Sequence, residues 1–407
     1  MNYKPIVLII VTAVWLYNIA LNAVRMRSAR NPVPANVADI YDGETYAKWK
    51  AYHAEKTRFA MITATADFAV SFVLLLLNTH AAFAGFFDKS DFMQMFAVMV
   101  LETLAELLLL PFSWIETMKI EEKYGFNKMT PKTFWIDTVK KTLISLGIMT
   151  GIGALLMGVD RTLGDWLVPA FAGLMTLIFL GIVFLFPVLS RIFNKFRPLE
   201  DGELKDKLTG LLEKNGYKVR AIQVMDASRR TTKSNAYFSG FGKMKTIVLF
   251  DTLLEAMTPD EICAVFAHEL GHGLHKDTLK NQILTFAQMI VLALLAWWTL
   301  RTEGLFTSFG FSGINYGFAV MLIMNVEFAL ISPLFGLIAN YFTRKAEYRA
   351  DGHAVKEGYG NELISALKTL AKQNFADPSP SPLLVKLEYS HPSLSQRIDA
   401  IEKAVKS

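Results

Sequence analysis

The segment 268–272 reads His-Glu-Leu-Gly-His, which is the HExxH spacing of a metal-binding helix. Imidazoles at His268 and His272 would lie on one helical face, about 6 Å apart along the axis, so both could hold one zinc ion. Glu269 would then lie beside the ion, where its carboxylate can accept a proton from water activated by the metal. The pattern therefore predicts metal-assisted hydrolysis.

A hydrolytic zinc site needs a third protein ligand and an open position for water. His275 is near in sequence, but it lies a further turn from His268 on a continuous helix, so we expect it at the helix end. Glu347 is the better candidate, and Asp351 shares its helical face, where it could hydrogen-bond a ligand histidine. The predicted ligands of one zinc ion per chain are therefore His268, His272 and Glu347.

The composition indicates a membrane protein. Of the 407 residues, 52% are hydrophobic and only 19% are charged, whereas an ordinary soluble domain carries about 25% charged residues. The single cysteine, Cys263, can form neither an internal disulfide nor a cysteine-based metal site. The net charge is +5, but lysines and arginines mostly flank apolar runs, so we expect no nucleic-acid partner.

Seven apolar runs are long enough, within a few residues, to cross about 30 Å of hydrocarbon as helices. They cover 5–24, 59–81, 93–115, 142–159, 166–189, 283–300 and 314–338. Gly147, Gly151 and Gly153 lower the helix propensity of the fourth run, which could be tilted or partly re-entrant. The expected fold is mainly α, with a seven-helix transmembrane bundle.

The distribution of positive charge predicts the orientation of the chain. The first and third connections are rich in Lys and Arg, whereas the second, fourth and sixth contain only Lys89, Arg161 and Arg301, respectively. Odd connections should therefore be cytoplasmic, with the N-terminus outside and the C-terminus inside. The expected domains are a five-span membrane domain (1–189), a cytoplasmic catalytic segment (190–282), two further spans (283–338) and a second cytoplasmic catalytic segment (339–407).

The polar segments predict a small β-sheet between helices. Leucines at helical spacing indicate an amphipathic helix over 203–216. Alternating side chains predict strands at 219–225, 235–238 and 245–250, with a turn at 240–242 between the last two.

Capping signals predict two further helices. Thr258 and Glu261 form a capping box, so the HExxH helix should begin there and continue through Lys276. Ser393 and Gln396 could cap a last short helix after a proline-rich linker.

The predicted topology also brings the metal ligands together. His272 lies roughly 16 Å of helix before the sixth span, and Glu347 follows the seventh by a few turns, both on the cytoplasmic side. Ionisable residues inside the spans are costly against lipid, so they should face the bundle interior, water or one another. These residues are Asp67, Glu102, Glu106 and Glu327.

Three parts of the sequence together resemble the CAAX prenyl protease 1 family. They are the HExxH motif with Glu347 and Asp351, the run Ser-Asn-Ala-Tyr-Phe at 234–238 leading to 247–254, and Ile-Glu-Glu-Lys-Tyr-Gly-Phe-Asn-Lys at 120–128. The resemblance covers nearly the whole chain. HExxH is shared by many zinc proteases, whereas the 120–128 segment and the seven-span layout are much more specific.

The resemblance implies a gluzincin-type zinc endopeptidase whose membrane helices enclose a large chamber, with the zinc at its cytoplasmic end. In that family the substrate is a prenylated C-terminal CAAX peptide, which is cut after the modified cysteine. The resemblance implies substrate binding by Asn235 and Ala236 on an edge strand, contact of His391 with the reacting carbonyl, and a place beside the metal ligands for Arg397. His391 would then help to stabilise the oxyanion.

We therefore expect an integral-membrane zinc metalloendopeptidase that removes the C-terminal tripeptide of prenylated CAAX substrates, with Glu269 as proton acceptor and donor. Its partners would be a peptide or protein, with or without a prenyl group, and membrane lipid. The catalytic site would face the cytoplasm, from the inner membrane of a bacterium or the endoplasmic reticulum membrane of a eukaryote. One alternative is a general quality-control protease for membrane proteins, and another is a transporter or channel with a structural zinc site.

The predicted orientation can be tested by cysteine labelling. After Cys263→Ala, a cysteine introduced at Ser407 should react with a membrane-impermeant thiol reagent only from the cytoplasmic side, because the positive charges place the C-terminus there. Ser312→Cys, in the sixth connection, should react only from the opposite side and serves as the control. Labelling of position 407 from outside would overturn the topology.

Overall fold

The computed structural model describes residues 1–87, 90–216, 221–239, 246–275 and 277–407. Its first half is helical throughout. The helices are α1 (Lys4–Ser28), α2 (Gly43–Leu76), α3 (Thr79–Ala84), α4 (Asp91–Leu108), α5 (Leu110–Ile115), α6 (Pro131–Leu163) and α7 (Leu167–Phe193). A π-helical turn, Glu116–Glu121, continues α5.

The second half combines a small sheet with helices. In chain order the elements are β1 (Phe196–Pro198), α8 (Glu203–Lys214), β2 (Ala221–Met225), β3 (Ala236–Ser239), β4 (Thr246–Phe250), α9 (Asp251–Ala256), α10 (Pro259–Leu274), α11 (Asp277–Arg301), α12 (Glu303–Thr307), α13 (Tyr316–Met321), α14 (Phe328–Lys356), α15 (Gly360–Gln373), α16 (Pro382–Leu387) and α17 (Leu394–Val405). The amphipathic helix and both capped helices that the sequence predicts are confirmed as α8, α10 and α17.

Within the described residues, five helices are long and apolar enough to cross a membrane, and the number is six if the bent pair α4 and α5 forms one span. Only 6–39% of the residues in their apolar windows are buried inside the protein, so most of these side chains face outward, as lipid contact requires. The run predicted at 166–189 lies on α7, whose described apolar stretch is Leu167–Ile178. A count of seven spans therefore stays a prediction.

The irregular span is the third apolar run, not the fourth. α6 covers the fourth run as one continuous helix of 33 residues, despite its glycines. The third run is instead interrupted at Leu109, where its two parts are bent by 41°. Pro111, in the first turn of α5, explains the break, because it lacks an N–H and its ring clashes with the carbonyl one turn earlier.

The strands form one sheet in the order β1-β2-β4-β3, which leaves β3 at an edge. β2 and β4 are parallel, whereas β3 pairs with β4 in antiparallel register, Ala236 opposite Leu249. These three strands confirm the predicted ones, and the turn predicted at 240–242 lies outside the described residues. The sequence analysis missed β1, because three residues that include Pro198 carry no alternating pattern.

Two hydrophobic cores are the largest among the described residues. One joins membrane helices, and the other packs the sheet against α8, α10 and α15, with Leu208, Leu249, Phe266 and Leu363 buried in it. α13, a π-helical segment (Leu322–Glu327) and α14 form one continuous helix, Tyr316–Lys356, of 41 residues. At 1.5 Å per residue it is about 60 Å long, so it leaves the apolar region and enters the second core.

α10 and α14 come into unusually close contact at Gly271, inside the HExxH motif. A Cβ atom added there would lie 2.8 Å from the Cα atom of Ala350 and 3.0 Å from the Cβ atom of His353. Backbone cannot yield as a flexible side chain can, so any larger residue must push the two helices apart. The neighbouring His272 would move with the helix.

Gly271→Ala should therefore destabilise the protein by about 1–3 kcal/mol, as overpacking a well-packed contact does, and weaken metal binding. Thermal unfolding in detergent and metal content after dialysis would measure both effects. Gly210→Ala is the control, because Gly210 is an exposed residue of α8 with nothing within 4 Å of an added Cβ atom. A Gly271→Ala protein with unchanged Tm and metal content would contradict this account of the helix contact.

Candidate active site

The capping box fixes the start of α10. The Thr258 hydroxyl accepts a hydrogen bond from the Glu261 backbone N–H, and the Glu261 carboxylate accepts one from the Thr258 N–H at 2.8 Å. From there the helix buries one face against the sheet, which brings His268 inside with 6% of its surface exposed. His275 is the C-terminal capping residue of α10, as expected, and Lys276 lies outside the described residues.

Three side chains from α10 and α14 converge on one point. The Nε2 atom of His268 lies 3.5 Å from Oε2 of Glu347, and the Nε2 atom of His272 lies 3.1 Å from Oε1. One ligand atom from each residue lies within 4.8 Å of the other two. The structure therefore brings together the three residues that the sequence nominates as metal ligands.

A carboxylate orients each imidazole from behind. Nδ1 of His268 lies 2.8 Å from Oδ1 of Asp351, and Nδ1 of His272 lies 3.3 Å from Oδ2 of Asp277. Since a carboxylate accepts hydrogen bonds, both Nδ1 atoms carry a proton, which leaves the two Nε2 atoms, directed toward Glu347, as the nitrogens that can bind a metal once they are deprotonated. The sequence analysis missed Asp277, because one acidic residue five positions after His272 is no distinctive signal.

Arg397 and His391 complete the surroundings of Glu347. The buried Arg397 guanidinium donates two hydrogen bonds to Asp351, at 3.0 Å and 2.6 Å, and its Nη1 lies 3.3 Å from Oε2 of Glu347. His391 approaches from the open side: its Nε2 lies 3.4 Å from Oε1 of Glu347, and 57% of its side chain is exposed. The Ser390 hydroxyl lies 2.8 Å from its Nδ1. His391 is thus placed to meet a ligand entering the site.

The edge strand borders the same site. Ala236 of β3 and Glu269 of α10 line one small apolar pocket, about 260 Å³ with the space open to solvent included, together with aliphatic and aromatic side chains of β4, α9 and α10. The Phe250 N–H donates to the Asn235 carbonyl at 3.1 Å, and hydrogen-bonded pairs alternate along an antiparallel ladder. The backbone N–H and C=O of Ala236 therefore point away from β4, toward the edge.

The residues present fit a divalent metal ion. Oε2 of Glu347 is buried and accepts no hydrogen bond from the described residues, while two imidazole nitrogens and a guanidinium face the carboxylate. Two nitrogens and one carboxylate, with the exposed His391 beside them, form a three-ligand set of the kind found in catalytic metal sites. Structural sites normally provide four protein ligands.

The electrostatics of the site follow from its burial and its ion pairs. Burial disfavours a charge on His272, but the hydrogen bond and the charge of Glu347, together with the nearby carboxylates of Glu269 and Asp277, outweigh it, so the pKa of His272 is raised. Burial likewise opposes the charge of Arg397, and its hydrogen bonds to Asp351 raise the pKa nonetheless. Desolvation, together with the charge of Arg397, lowers the pKa of His391. Metal binding must therefore displace a proton from His272 up to a higher pH than at an ordinary histidine.

A metal set of this kind, in a protein with five or six helices of membrane length, defines the class. It is the class of membrane proteins in which an HExxH helix, with the ligand set for one metal ion, lies next to the edge of a β-sheet.

Comparison with known proteins specifies the family. Residues 23–195 match the family described as CAAX prenyl protease N-terminal, five membrane helices, and residues 198–405 match peptidase family M48. The CAAX prenyl protease 1 homolog of Arabidopsis thaliana is 31% identical, covering 91% of this chain and 90% of its own length. CAAX prenyl protease 1 of Saccharomyces cerevisiae is 30% identical, covering 91% and 88%, respectively.

The fold agrees over the whole chain. The crystal structure of S. mikatae Ste24p matches with a TM-score of 0.92 over 99% of both chains, at 26% sequence identity. The chain therefore belongs to peptidase family M48.

Glu347→Ala should weaken metal binding by more than about 100-fold, since loss of an orienting partner alone costs 10–100-fold. Asp277→Asn should weaken metal binding by only about 10–100-fold, because His272 keeps its Nε2 ligand atom but loses the carboxylate that orients the ring. Titration of the metal-free protein against a competing chelator measures both affinities. Glu255→Ala, at an exposed acidic position of α9, is the control. Unchanged affinity in Glu347→Ala would mean that the third ligand lies elsewhere.

Proposed function

We propose that this protein is a zinc endopeptidase that removes the C-terminal tripeptide from prenylated CAAX-type substrates. The observation that carries the proposal is the meeting of His268, His272 and Glu347 beside β3, the edge strand of the described sheet, in a chain that matches proteins named CAAX prenyl protease 1 over nine-tenths of its length. A gluzincin-type site, a cytoplasmic orientation, seven spans and the four-part domain division of the sequence analysis belong to the same proposal.

The side chains divide the chemistry among them. Zinc bound by the three ligands would supply Lewis acidity toward the scissile carbonyl and lower the pKa of water. Glu269 accepts the proton of the attacking water and returns it to the leaving amine. His391 donates from Nε2 to the oxygen on which negative charge develops. Asp351 and Asp277 hold the ligand imidazoles, and Arg397 holds Asp351.

Backbone pairing at β3 would align the substrate. The Ala236 N–H points to the edge, where the side-chain oxygen of Asn235 accepts its hydrogen bond at 2.9 Å. A carbonyl of an extended peptide would replace that oxygen, and the released Asn235 carboxamide could then bind the peptide in turn. The apolar pocket between Ala236 and Glu269 suits an aliphatic side chain next to the cleaved bond, which the C-a-a-X pattern contains.

A second cavity, in the membrane half, would receive the prenyl group of the substrate or the part of the substrate that precedes the modified cysteine. About 1190 Å³ of empty space, open to solvent, lies between α1, α2, α4 and the long helix Tyr316–Lys356. Its lining includes Asp67, Glu102 and Glu106 among apolar side chains, and His80 and Asn325 hydrogen-bond Glu102. Glu327 instead accepts a hydrogen bond from Thr299.

A matched pair of peptides tests the substrate assignment. A farnesylated CAAX peptide should show a KM at least tenfold below that of the unmodified peptide, because each methylene removed from water contributes about 0.8 kcal/mol. The effect on kcat should be smaller, since the lipid is remote from the reacting bond and binds the ground and transition states alike.

The assay uses purified enzyme in detergent, with a correction for partitioning of the peptide into micelles. Glu269→Gln is the control: it should retain the metal and abolish cleavage of both peptides, because only the proton acceptor is lost. Equal corrected KM values would favour a quality-control protease without lipid recognition. Metal binding without any cleavage would favour the transporter or channel.

A further inference from the structure

The segment 120–128 contributes no side chain to the metal site, yet it lies between the membrane half and the edge strand. It leaves the π-helical turn at Glu121 and reverses at Gly125, whose φ of 87° lies in the left-handed region that favours glycine. The Phe126 N–H closes the turn by donating to the Glu121 carbonyl at 2.8 Å.

After the turn, this segment pairs with the chain that leads into β3. Asn127 and Thr231 form an antiparallel bridge. The Lys128 N–H donates to the Arg230 carbonyl at 3.0 Å, and the Thr232 N–H donates to the Phe126 carbonyl at 3.3 Å. A short piece of sheet thus connects the third membrane connection to residues 230–232, only four positions before Ala236.

The Glu121 carboxylate reinforces this connection. It accepts hydrogen bonds from the Tyr52 hydroxyl at 2.7 Å and from Lys56, both on α2, and its other oxygen lies 3.3 Å from Nζ of Lys233. The Lys233 ammonium also lies 4.8 Å from the centre of the Phe126 ring. The Glu121 carboxylate, at the end of the turn that continues α5, therefore joins α2 to the residue that precedes Ser234 and Asn235.

The backbone beyond Lys233 is also fixed. The Thr252 hydroxyl donates to the Lys233 carbonyl at 3.0 Å, and the Asn374 amide donates to the Ser234 carbonyl at 3.3 Å. The buried Ser234 hydroxyl hydrogen-bonds Gln373 at the end of α15. The position of the edge strand is thus determined at its N-terminal end, by contacts from outside the sheet.

We propose that Glu121 is a positioning residue for substrate binding: through Lys233 it holds the edge at Asn235 and Ala236 at the distance from Glu269 that a bound peptide requires. The inference rests on the proposed function, because it takes Ala236 as the point of peptide pairing. Glu269 and the metal ligands lie on α10 and α14, whereas the described hydrogen-bond and ion-pair partners of the Glu121 side chain are Tyr52, Lys56 and Lys233. Loss of the Glu121 charge should therefore weaken binding of the peptide substrate more than it slows cleavage of the bound peptide.

The charge balance of the cluster gives the expected direction. Glu121 is the shared acceptor for Lys56 and Lys233, and its side chain is only 15% exposed. In Glu121→Gln the two ammonium groups lose their common counter-charge, so Lys233 should turn toward water and loosen residues 230–236. The conservative shape of glutamine leaves the hydrogen bond from Tyr52 available.

The test compares Glu121→Gln with Glu122→Gln, the same change at an exposed neighbouring position. Glu121→Gln should raise KM for the CAAX peptide about three- to tenfold and change kcat by less than about twofold. It should also speed amide hydrogen exchange in 230–236 while metal content stays as in the parent protein. Glu122→Gln should change none of these quantities.

The Lys233→Gln variant removes the other partner of the same ion pair, so the proposal can still be tested if Glu121→Gln folds poorly. It should raise KM similarly, and the double variant should be no worse than either single one, because both changes remove one interaction. Additive effects would show that the two residues act separately, which overturns the proposal.

Two further outcomes would also overturn it. An unchanged KM and unchanged exchange in Glu121→Gln would show that the edge is positioned without Glu121. Loss of metal, or a fall in kcat as large as the rise in KM, would assign Glu121 a general structural role. In each case cleavage by the parent protein keeps the proposed function intact, whereas a parent protein that cleaves no peptide contradicts that function itself.

Discussion

A single buried carboxylate sets the conditions for the rest of the active site. Glu347 is 2% exposed and faces three imidazoles and one guanidinium. An ionised group without partners would be costly at such depth, so its surroundings must supply positive charge, either as protons on the histidines or as a metal ion. Asp351 and Asp277 hold the two imidazoles with Nδ1 occupied, which leaves Nε2 of each ring as the atom for a metal ion. The site is therefore organised for metal binding before any substrate arrives.

The position of that carboxylate depends on one long helix. Tyr316–Lys356 extends from the apolar region to the metal site without interruption, and Gly271 lets α10 approach it at backbone distance. A π-helical segment and Pro333 lie in the membrane part, where they locally perturb the helix, whereas the part that carries Glu347 is regular. Because α11 follows α10 directly, the membrane helices and the ligand helices form one packed unit. The chemistry is thus built on rigid elements, with the exposed His391 on the open side.

The substrate side of the site is held differently. Among the described elements, β3 is the edge strand of the sheet and has no further neighbour. The Ala236 N–H, which would pair with a bound peptide on the proposed function, donates to the side-chain oxygen of Asn235. The location of this edge is determined by the 120–128 segment from the membrane half and by the end of α15. On the proposed function, peptide binding and catalysis would therefore depend on separate supports, and the 120–128 segment, far from the metal ligands in sequence, would affect the binding of the peptide.

The sequence by itself determined the local elements and the chemistry. HExxH with its capping box identified the metal-binding helix, apolar runs identified most membrane helices, and Glu347 with Asp351 could be nominated because four-residue spacing fixes a helical face. The sequence analysis missed three features whose signals are short or rest on a single residue and are therefore not distinctive. They are the bend at Leu109, the strand β1 and Asp277, the partner of His272. Only the tertiary structure decided which carboxylate orients which imidazole, why Gly271 must be small and how Glu121 reaches Lys233. These relations join residues up to 112 positions apart, and local periodicity carries no information about such contacts.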